Sequence, residues 1–474
     1  MAHCGRGSHA EQGHRSSLDS MSTAAAGRSP WIEQLDPDIA PQPLLGDATT
    51  DVAVIGAGIA GVATAFFLLR ETDVDVLLIE RDRAGRGATG HNAGQLTTYF
   101  ERPLYDLVDT YGFEQAMAAQ HAIEQTWDLL ATIVAESGAT APIDHFVGHM
   151  GMFTLNHVTV HLRSSLLRRQ AGMYVQRCVV ADEAPFVNDI PAEFDGLYSI
   201  VPMSEIRELL RTNDDRYCAV LSDRKGCANG ALLIEQILEY LQTAFADRFQ
   251  FVDHTAVDRV ELHSNRAKIS AGGYEVTAAT VVMCTNGFVD HVVENLAGAD
   301  IHPELHHRVM GDVGYMVGFV EDAPSEANAF SYIRNETIGG DTPYVYLTSR
   351  PHQGPRGAGT LVCIGGPEQQ LDDVAVYSPD WEFPASVIDE IDGAILPIVH
   401  PTRPGGLDYD YTWHGLMGYS ESRVRLIGFE PKNPVLMYNL GCNGVGFLQS
   451  IYGGCRIARL VAGEQLSASI FDPP

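Results

Sequence analysis

Residues 51–98 read DVAVIGAGIAGVATAFFLLRETDVDVLLIERDRAGRGATGHNAGQLTT, and this stretch decides the fold. Residues 51–55 are a short apolar, β-branched run, the composition of a buried strand. Gly56-Ala57-Gly58-Ile59-Ala60-Gly61 follows at once and opens an apolar helix expected over 59–70. A second strand is expected over 74–79, ending in Glu80. Strand, GxGxxG turn, helix, strand and terminal acid stand in register, the pattern of a dinucleotide-binding unit. Gly56 permits the tight turn, Gly58 lets backbone approach a pyrophosphate, and Gly61 lets helix and strand pack closely. The helix N-terminus at Ile59 and Ala60 offers N–H groups and a partial positive charge to phosphates. Glu80 stands where a carboxylate accepts hydrogen bonds from ribose hydroxyls. The unit alone does not choose between FAD and NAD.

The next segment helps. Residues 81–94 read RDRAGRGATGHNAG and lead into Gln95-Leu96-Thr97-Thr98. This resembles the GASGRNGG segment of the FAD-dependent D-amino-acid-oxidase-type family, which includes glycine and sarcosine oxidases. There the loop runs over the pyrophosphate towards the flavin ring. The resemblance implies FAD as cofactor, with contacts from Arg81, Ala88, Gly90, His91 and Asn92. His91-Asn92-Ala93-Gly94-Gln95-Leu96-Thr97-Thr98 also resembles the His-Ala-Ala-Gly-Leu-Thr-Thr run of dimethylglycine and sarcosine dehydrogenases. In those enzymes the histidine bonds covalently to the flavin. Gly90 stands where they carry tryptophan, and Gln95 is additional. Two roles stay open for His91: a covalent link, or a hydrogen-bonding replacement for the family's usual arginine.

The resemblance spans about residues 30–465 and is most specific at its two ends. Trp413-His414-Gly415-Leu416 and, after an expected strand over 435–440, Gly441-Cys442-Asn443-Gly444-Val445-Gly446 resemble the family's W-x-G-L…G-x-x-G-x-G ending. Gly441, Asn443, Gly444, Val445 and Gly446 are therefore expected at the cofactor. The helix opening there, expected over 447–462, could hold negative charge at the flavin N1–C2=O locus. Val257 sits where relatives set a backbone valine against the adenine. Thr285-Asn286-Gly287 resembles the family's second nucleotide-contacting turn. Where relatives carry Asp-x-x-Pro before Ile-Gly, this chain has Glu421-Ser422-Arg423-Val424-Arg425-Leu426.

The expected fold class is α/β: a Rossmann-like FAD-binding domain interleaved with a mixed or antiparallel-sheet substrate domain. The cofactor part covers about residues 51–100, 226–290 and 411–465, and the substrate part about 145–225 and 291–410. Residues 1–29 are rich in Gly, Ser, Ala, His and Arg and are expected to be a disordered tail. Trp31-Ile32 is expected to anchor the segment after it.

The totals narrow the function. The 474 residues carry a formal charge of −30, with a pI near 4.8. That charge disfavours nucleic-acid binding and docking on an anionic membrane. No run approaches the roughly 18–20 apolar residues of a membrane span. Eight cysteines are scattered without a C-x-x-C pair or metal spacing. This fits thiols in a reducing, cytoplasmic compartment and no metal site. Cys363, in an apolar run, reads as core packing. His3, His9, His14, His306-His307 and His414 form no ligand pattern.

By its resemblance the protein would oxidise the C–N bond of a small amine or amino acid. A hydride would pass to flavin N5, and the resulting imine would hydrolyse. Oxygen or an electron-carrier protein would then take the electrons. The flavin does the hard step, so no acid–base residue is obligatory. Arg350, after a strand expected over 343–348, is a candidate to pair a substrate carboxylate. Tyr346, Trp413 and Tyr419, with Tyr344, are candidates for an aromatic wall around an amine. No folate-binding second half is expected. Two other readings remain: another FAD or NAD(P)H oxidoreductase, although no second strand-linked GxGxxG occurs, and a flavin-binding protein without amine turnover.

Overall fold

The computed structural model describes residues 25–26, 29–289, 291–301, 309–336, 344–354, 357–399 and 407–474. Most of the tail expected to be disordered, and His306-His307, lie outside the described residues. Ala25–Ala26 pair in parallel with Tyr411 and Thr412, and Ser29 is buried.

Two sheets carry the described chain. In the smaller, Phe249–Val252, Val76–Ile79, Ala48–Ile55, Tyr274–Met283 and Leu436–Leu440 lie side by side and parallel. Ala48–Ile55 changes from partly exposed to fully buried along its length, because helices cover its C-terminal half. Tyr274–Met283 changes neighbour midway. Its first half pairs antiparallel with Ala267–Ala271, while Val281–Met283 run parallel to Leu436–Tyr438. The sheet therefore forks, and the ends of three of its strands converge on one glycine-rich corner.

Helix Ile59–Glu71 crosses that corner. Every residue from Ile59 to Leu69 is buried, so its apolar face is the whole cylinder rather than a stripe. Burying Phe66, Phe67, Leu68 and Leu69 contributes roughly 1.5–3 kcal/mol each. Helix Gly446–Val461 packs directly on it. A Cβ at Gly454 would sit 2.7 Å from the Ala63 carbonyl carbon, so only glycine permits this approach.

The larger sheet is mainly antiparallel. Tyr411–Ser420, Val309–Glu321, Gly357–Gln370, Tyr344–Gly354 and Asn328–Ile333 run in that order, followed by Ile143–Met152 and Ala219–Ala228. Tyr411–Ser420 thus belongs to this sheet, not with the cofactor segment it precedes: its ladder to Val309–Glu321 claims it from Tyr411 to Ser420. The register sets Tyr346 and Met316 on either side of Gly365. A Cβ there would collide with both side chains, at 2.6 and 2.2 Å, so the glycine makes room for an aromatic wall.

Among the described residues no helix is long and apolar enough to cross a membrane.

Candidate functional site

A cavity of about 560 Å³ runs between the two sheets. One end is built from the glycine corner. Gly56 has φ +100°, and a Cβ on it would lie 2.8 Å from the Cys284 carbonyl oxygen. A Cβ on Gly61 would lie 1.8 Å from the Gly56 oxygen. Gly61 is thus a packing glycine outside the cavity wall, as the motif requires. Gly58 lines the cavity, and its Cβ would meet only the Thr89 hydroxyl, at 3.1 Å. Ile59 and Ala60 also line it. The Ile59 N–H, however, donates to Thr89 Oγ1 at 3.0 Å. Thr89 therefore caps the helix from a distant loop, a role its sequence position did not signal.

Glu80 ends its strand as expected. Its carboxylate accepts from the Ala57 N–H at 2.7 Å and the Asp82 N–H at 3.1 Å. Burial pushes its pKa up, and these backbone donors work against that shift. Each oxygen has capacity for a further donor. Arg81 lies 5.5 Å over the Phe288 ring, and Val257, Thr285 and Asn286 face the same end.

The loop between the two ends is held by the chain's own lead. Helix Pro30–Glu33 is capped by Ser29, whose hydroxyl also donates to the Gly90 carbonyl. Trp31 Nε1 donates to the Asn92 carbonyl at 2.6 Å. A Cβ at Gly90 would strike Ile32, and one at Gly94 would strike Trp31. Gly90 is therefore a packing residue, while Ala88, His91 and Asn92 line the cavity. Gln95–Leu96 then pair with Gly226–Cys227 and fix the loop to the larger sheet.

His91 is partly buried. Its Nδ1 lies 3.0 Å from the Gly87 carbonyl, which can only accept, so the proton sits on Nδ1 and the lone pair on Nε2. Burial holds its pKa below the ordinary histidine value, and His414 and Arg86 add to this. A Cβ at Gly415 would lie 2.7 Å from the His91 Cβ, so glycine there is what lets the histidine in.

The second glycine turn divides in two. Gly444, Val445 and Gly446 line the cavity. Gly441 and Asn443 instead shape the turn: Asn443 Oδ1 accepts from the Ser420 N–H at 2.8 Å, and Gly441 has φ +85°. Arg425 underpins it, donating to Asn439 Oδ1 at 2.6 Å, Asn439 O at 2.8 Å and Gly441 O at 3.2 Å. Burial pushes this guanidinium down to about 10.

The other end of the cavity is aromatic and acidic. Tyr99, Tyr344, Tyr346, Met316, Glu101 and Glu368 line it. Tyr344 donates to Glu101 Oε1 at 2.9 Å, and Tyr346 lies 3.2 Å from Met316 Sδ. Tyr419 donates to Glu368 Oε2 at 3.4 Å, and its oxygen abuts Gly444. Burial raises the pKa of Glu101, against the Tyr344 hydrogen bond and Lys225. Glu368, exposed at the cavity wall, is pushed up to about 7 by desolvation first, then by Glu101 and Asp312. Lys225 stays behind the wall, donating to Gln95 Oε1 at 3.2 Å, and burial pushes it down to about 8.

Of the expected substrate residues, Tyr419 does not itself line the cavity and meets it through Glu368, and two lie elsewhere. Arg350 is buried, with its guanidinium 5.5 Å over the Trp31 ring, and does not line the cavity. Trp413 is wholly buried in a cluster with Trp31, Met316 and Cys363. Glu101 and Glu368 were not picked out from the sequence. Glu101 follows Tyr99-Phe100 just after the loop, and nothing in that order marks it as a site residue. His414 is held by Tyr377 and the Trp381 carbonyl, and among the described residues no group of three His, Cys, Asp or Glu could hold a metal.

The glycine corner, with its helix terminus, strand-end acid and open Gly58 and Gly87, fits a dinucleotide. The comparisons agree. The family model described as FAD dependent oxidoreductase matches residues 51–460. Over 68 residues the chain is 38% identical to gamma-glutamylputrescine oxidoreductase of Escherichia coli K12, a match covering 14% of this chain and only 16% of that protein. The fold resembles glycine oxidase from Geobacillus kaustophilus, with TM-score 0.63 and 16% identity, over 90% of this chain and 98% of that one. It also resembles L-proline dehydrogenase from P. horikoshii, with TM-score 0.65 and 14% identity, over 90% and 97%.

Proposed function

The chain belongs to the FAD-dependent oxidoreductase family, and from that premise we propose that it oxidises the C–N bond of a small amine or amino acid. One observation carries the reading: the glycine corner and the tyrosine-lined chamber are two ends of a single cavity. FAD, when bound, supplies the hydride acceptor at its N5, leaving the substrate as an imine that water hydrolyses.

The chain's own residues bind and orient. Gly58 and Ala60, with the positive end of helix Ile59–Glu71, would hold the pyrophosphate. Glu80 would accept hydrogen bonds from the ribose hydroxyls, and Val257 would lie against the adenine. Arg81, Ala88 and Asn92 line the path, and Gly444, Val445 and Gly446 close the far side. Tyr346 and Met316 give the reacting carbon a wall of low polarity, which favours the neutral amine needed for hydride loss. Oxygen or an electron-carrier protein takes the electrons. The described cysteines are all free, which supports a cytoplasmic location.

The test is anaerobic addition of amines and amino acids to the purified yellow protein. Bleaching of the flavin band is expected. NADPH bleaching it instead would favour a nicotinamide-dependent oxidoreductase, and no bleaching by any amine would favour a flavin-binding protein without turnover. Admitting oxygen to the reduced protein then separates oxidase from dehydrogenase.

A covalent link through His91 is a second reading, favoured by its neutral ring and Nε2 lone pair. Acid precipitation tests it. Colour retained in the pellet, and lost from it in His91→Ala, is the covalent result. Colour released to the supernatant leaves His91 as a hydrogen-bonding neighbour.

A further inference from the structure

We propose that the substrate carries a second, cationic nitrogen away from its reacting carbon, held by Glu101 and Glu368: a diamine or polyamine rather than an α-amino acid. The inference rests on the reading of the cavity as an amine-oxidising site and names the substrate class for it.

The charge inventory of the cavity wall decides the class. Among the described residues three arginines line the cavity, and none serves the tyrosine end. Arg81 stacks on Phe288 at the nucleotide end, and Arg86 belongs to the 81–94 loop beside it. Arg425 spends its donors on Asn439 and Gly441. Two further cations approach the tyrosine end but stay off the wall. Lys225 lies behind, 5.6 Å from the Tyr99 ring, and Arg423 lies 5.2 Å over the Tyr419 ring. Among the described residues, what faces the tyrosine end of the chamber with charge is Glu101 and Glu368.

These two carboxylates are built into place. Glu101 is fixed by the Tyr344 hydroxyl, and Glu368 by that of Tyr419. A Cβ at Gly444 would lie 2.9 Å from the Tyr419 oxygen and 3.2 Å from Glu101 Oε1. Glycine therefore brings the Tyr419 hydroxyl and Glu101 to the same point on the cofactor-side turn. Glu101 also raises the cost of ionising Glu368. A substrate cation relieves that repulsion and gains from the tyrosine faces. A substrate carboxylate adds a third negative group, and among the described residues no arginine lines the tyrosine end to pair it, which is discrimination by repulsion. Arg350, which could have answered a carboxylate, is packed on Trp31.

The experiment compares three chains that differ only at the distal end: putrescine, butylamine and γ-aminobutyrate, with glycine and N-methylglycine as α-amino acids. Rates of anaerobic flavin reduction by the holoenzyme are read by stopped flow. Putrescine is expected to exceed γ-aminobutyrate in kcat/KM by about tenfold or more, with butylamine between. Glu101→Gln and Glu368→Gln are expected to raise the putrescine KM about tenfold and narrow its lead over γ-aminobutyrate. Flavin content and melting temperature are read alongside. Should either variant fail to fold, the wild-type series decides alone. Faster reduction by γ-aminobutyrate or by an α-amino acid than by putrescine overturns this proposal and leaves amine oxidation standing. Reduction by none of the five overturns the functional reading, and this inference with it.

Discussion

The two ends of the cavity are built on opposite plans. At the nucleotide end the working groups are backbone atoms and small residues drawn from residues 56–92: Gly56, Gly58, Gly61, Glu80 and Thr89. At the substrate end they are side chains drawn from positions 99, 101, 344, 346, 368 and 419, brought together by the antiparallel ladders of the larger sheet and by the segment that follows Gln95–Leu96. The two ends are therefore fragile in different ways. The first tolerates changes of side-chain chemistry but no added Cβ at its tight contacts. The second tolerates small changes of shape but not the loss of one hydroxyl or carboxylate.

The sharpest way to break this comparison is Gly61→Val. Its Cβ would lie 1.8 Å from the Gly56 carbonyl, a backbone atom that cannot swing aside. We expect a loss of about 3 kcal/mol or more and of bound flavin, read by thermal melting and the visible spectrum. Wild-type melting with full flavin would remove the close-packing account of the corner.

Tyr344→Phe probes the other plan. It deletes the donor to Glu101 and leaves the ring. The expected cost is about 1–2 kcal/mol, appearing in KM with the flavin spectrum unchanged. A fall in flavin content with no change in KM would mean that Tyr344 serves the cofactor instead.

The pH dependence sharpens the contrast further. Glu368 lies near Glu101, Asp312, Tyr419 and Arg423, and desolvation, then the neighbouring acids, push its carboxyl up to about 7. A carboxyl raised by folding stabilises the fold fully at acid pH, and that stabilisation is lost as pH climbs from the ordinary carboxylate range through about 7. Binding of a cation needs the ionised form, so kcat/KM for a diamine should rise over the same window. The two trends run in opposite directions, and Glu368→Gln should flatten both. A flat rate profile in the wild type would detach Glu368 from substrate binding.

The smallest effect on turnover is expected from Arg350→Gln. The guanidinium stacks on Trp31 outside the cavity, so the change should cost about 1–2 kcal/mol of stability and leave KM for amines unaltered. A raised KM would restore Arg350 to the substrate side.

Much of the nucleotide end was legible in the sequence because its physics is local. A tight turn, a helix terminus and a strand-end acid depend on residues a few positions apart, so spacing alone predicts Gly56, Gly58, Gly61 and Glu80. The helix over 59–70 and the glycine turn at 441–446 follow for the same reason. Arg350 shows where local reasoning stops. The strand was expected to end before it, but runs Tyr344–Gly354. Arg350 shares the parity of Tyr346, yet lies about 13 Å further along, over Trp31 from the other end of the chain. Thr89, Glu101 and Glu368 were silent in sequence because each acts through a partner remote along the chain: Ile59, Tyr344 and Tyr419. The dinucleotide fold and its glycine corner follow from the order of residues, since their backbone geometry is set by neighbours along the chain. Only the tertiary structure decided which charges face the chamber, because that depends on sheet register and on which cations are already spent on other partners.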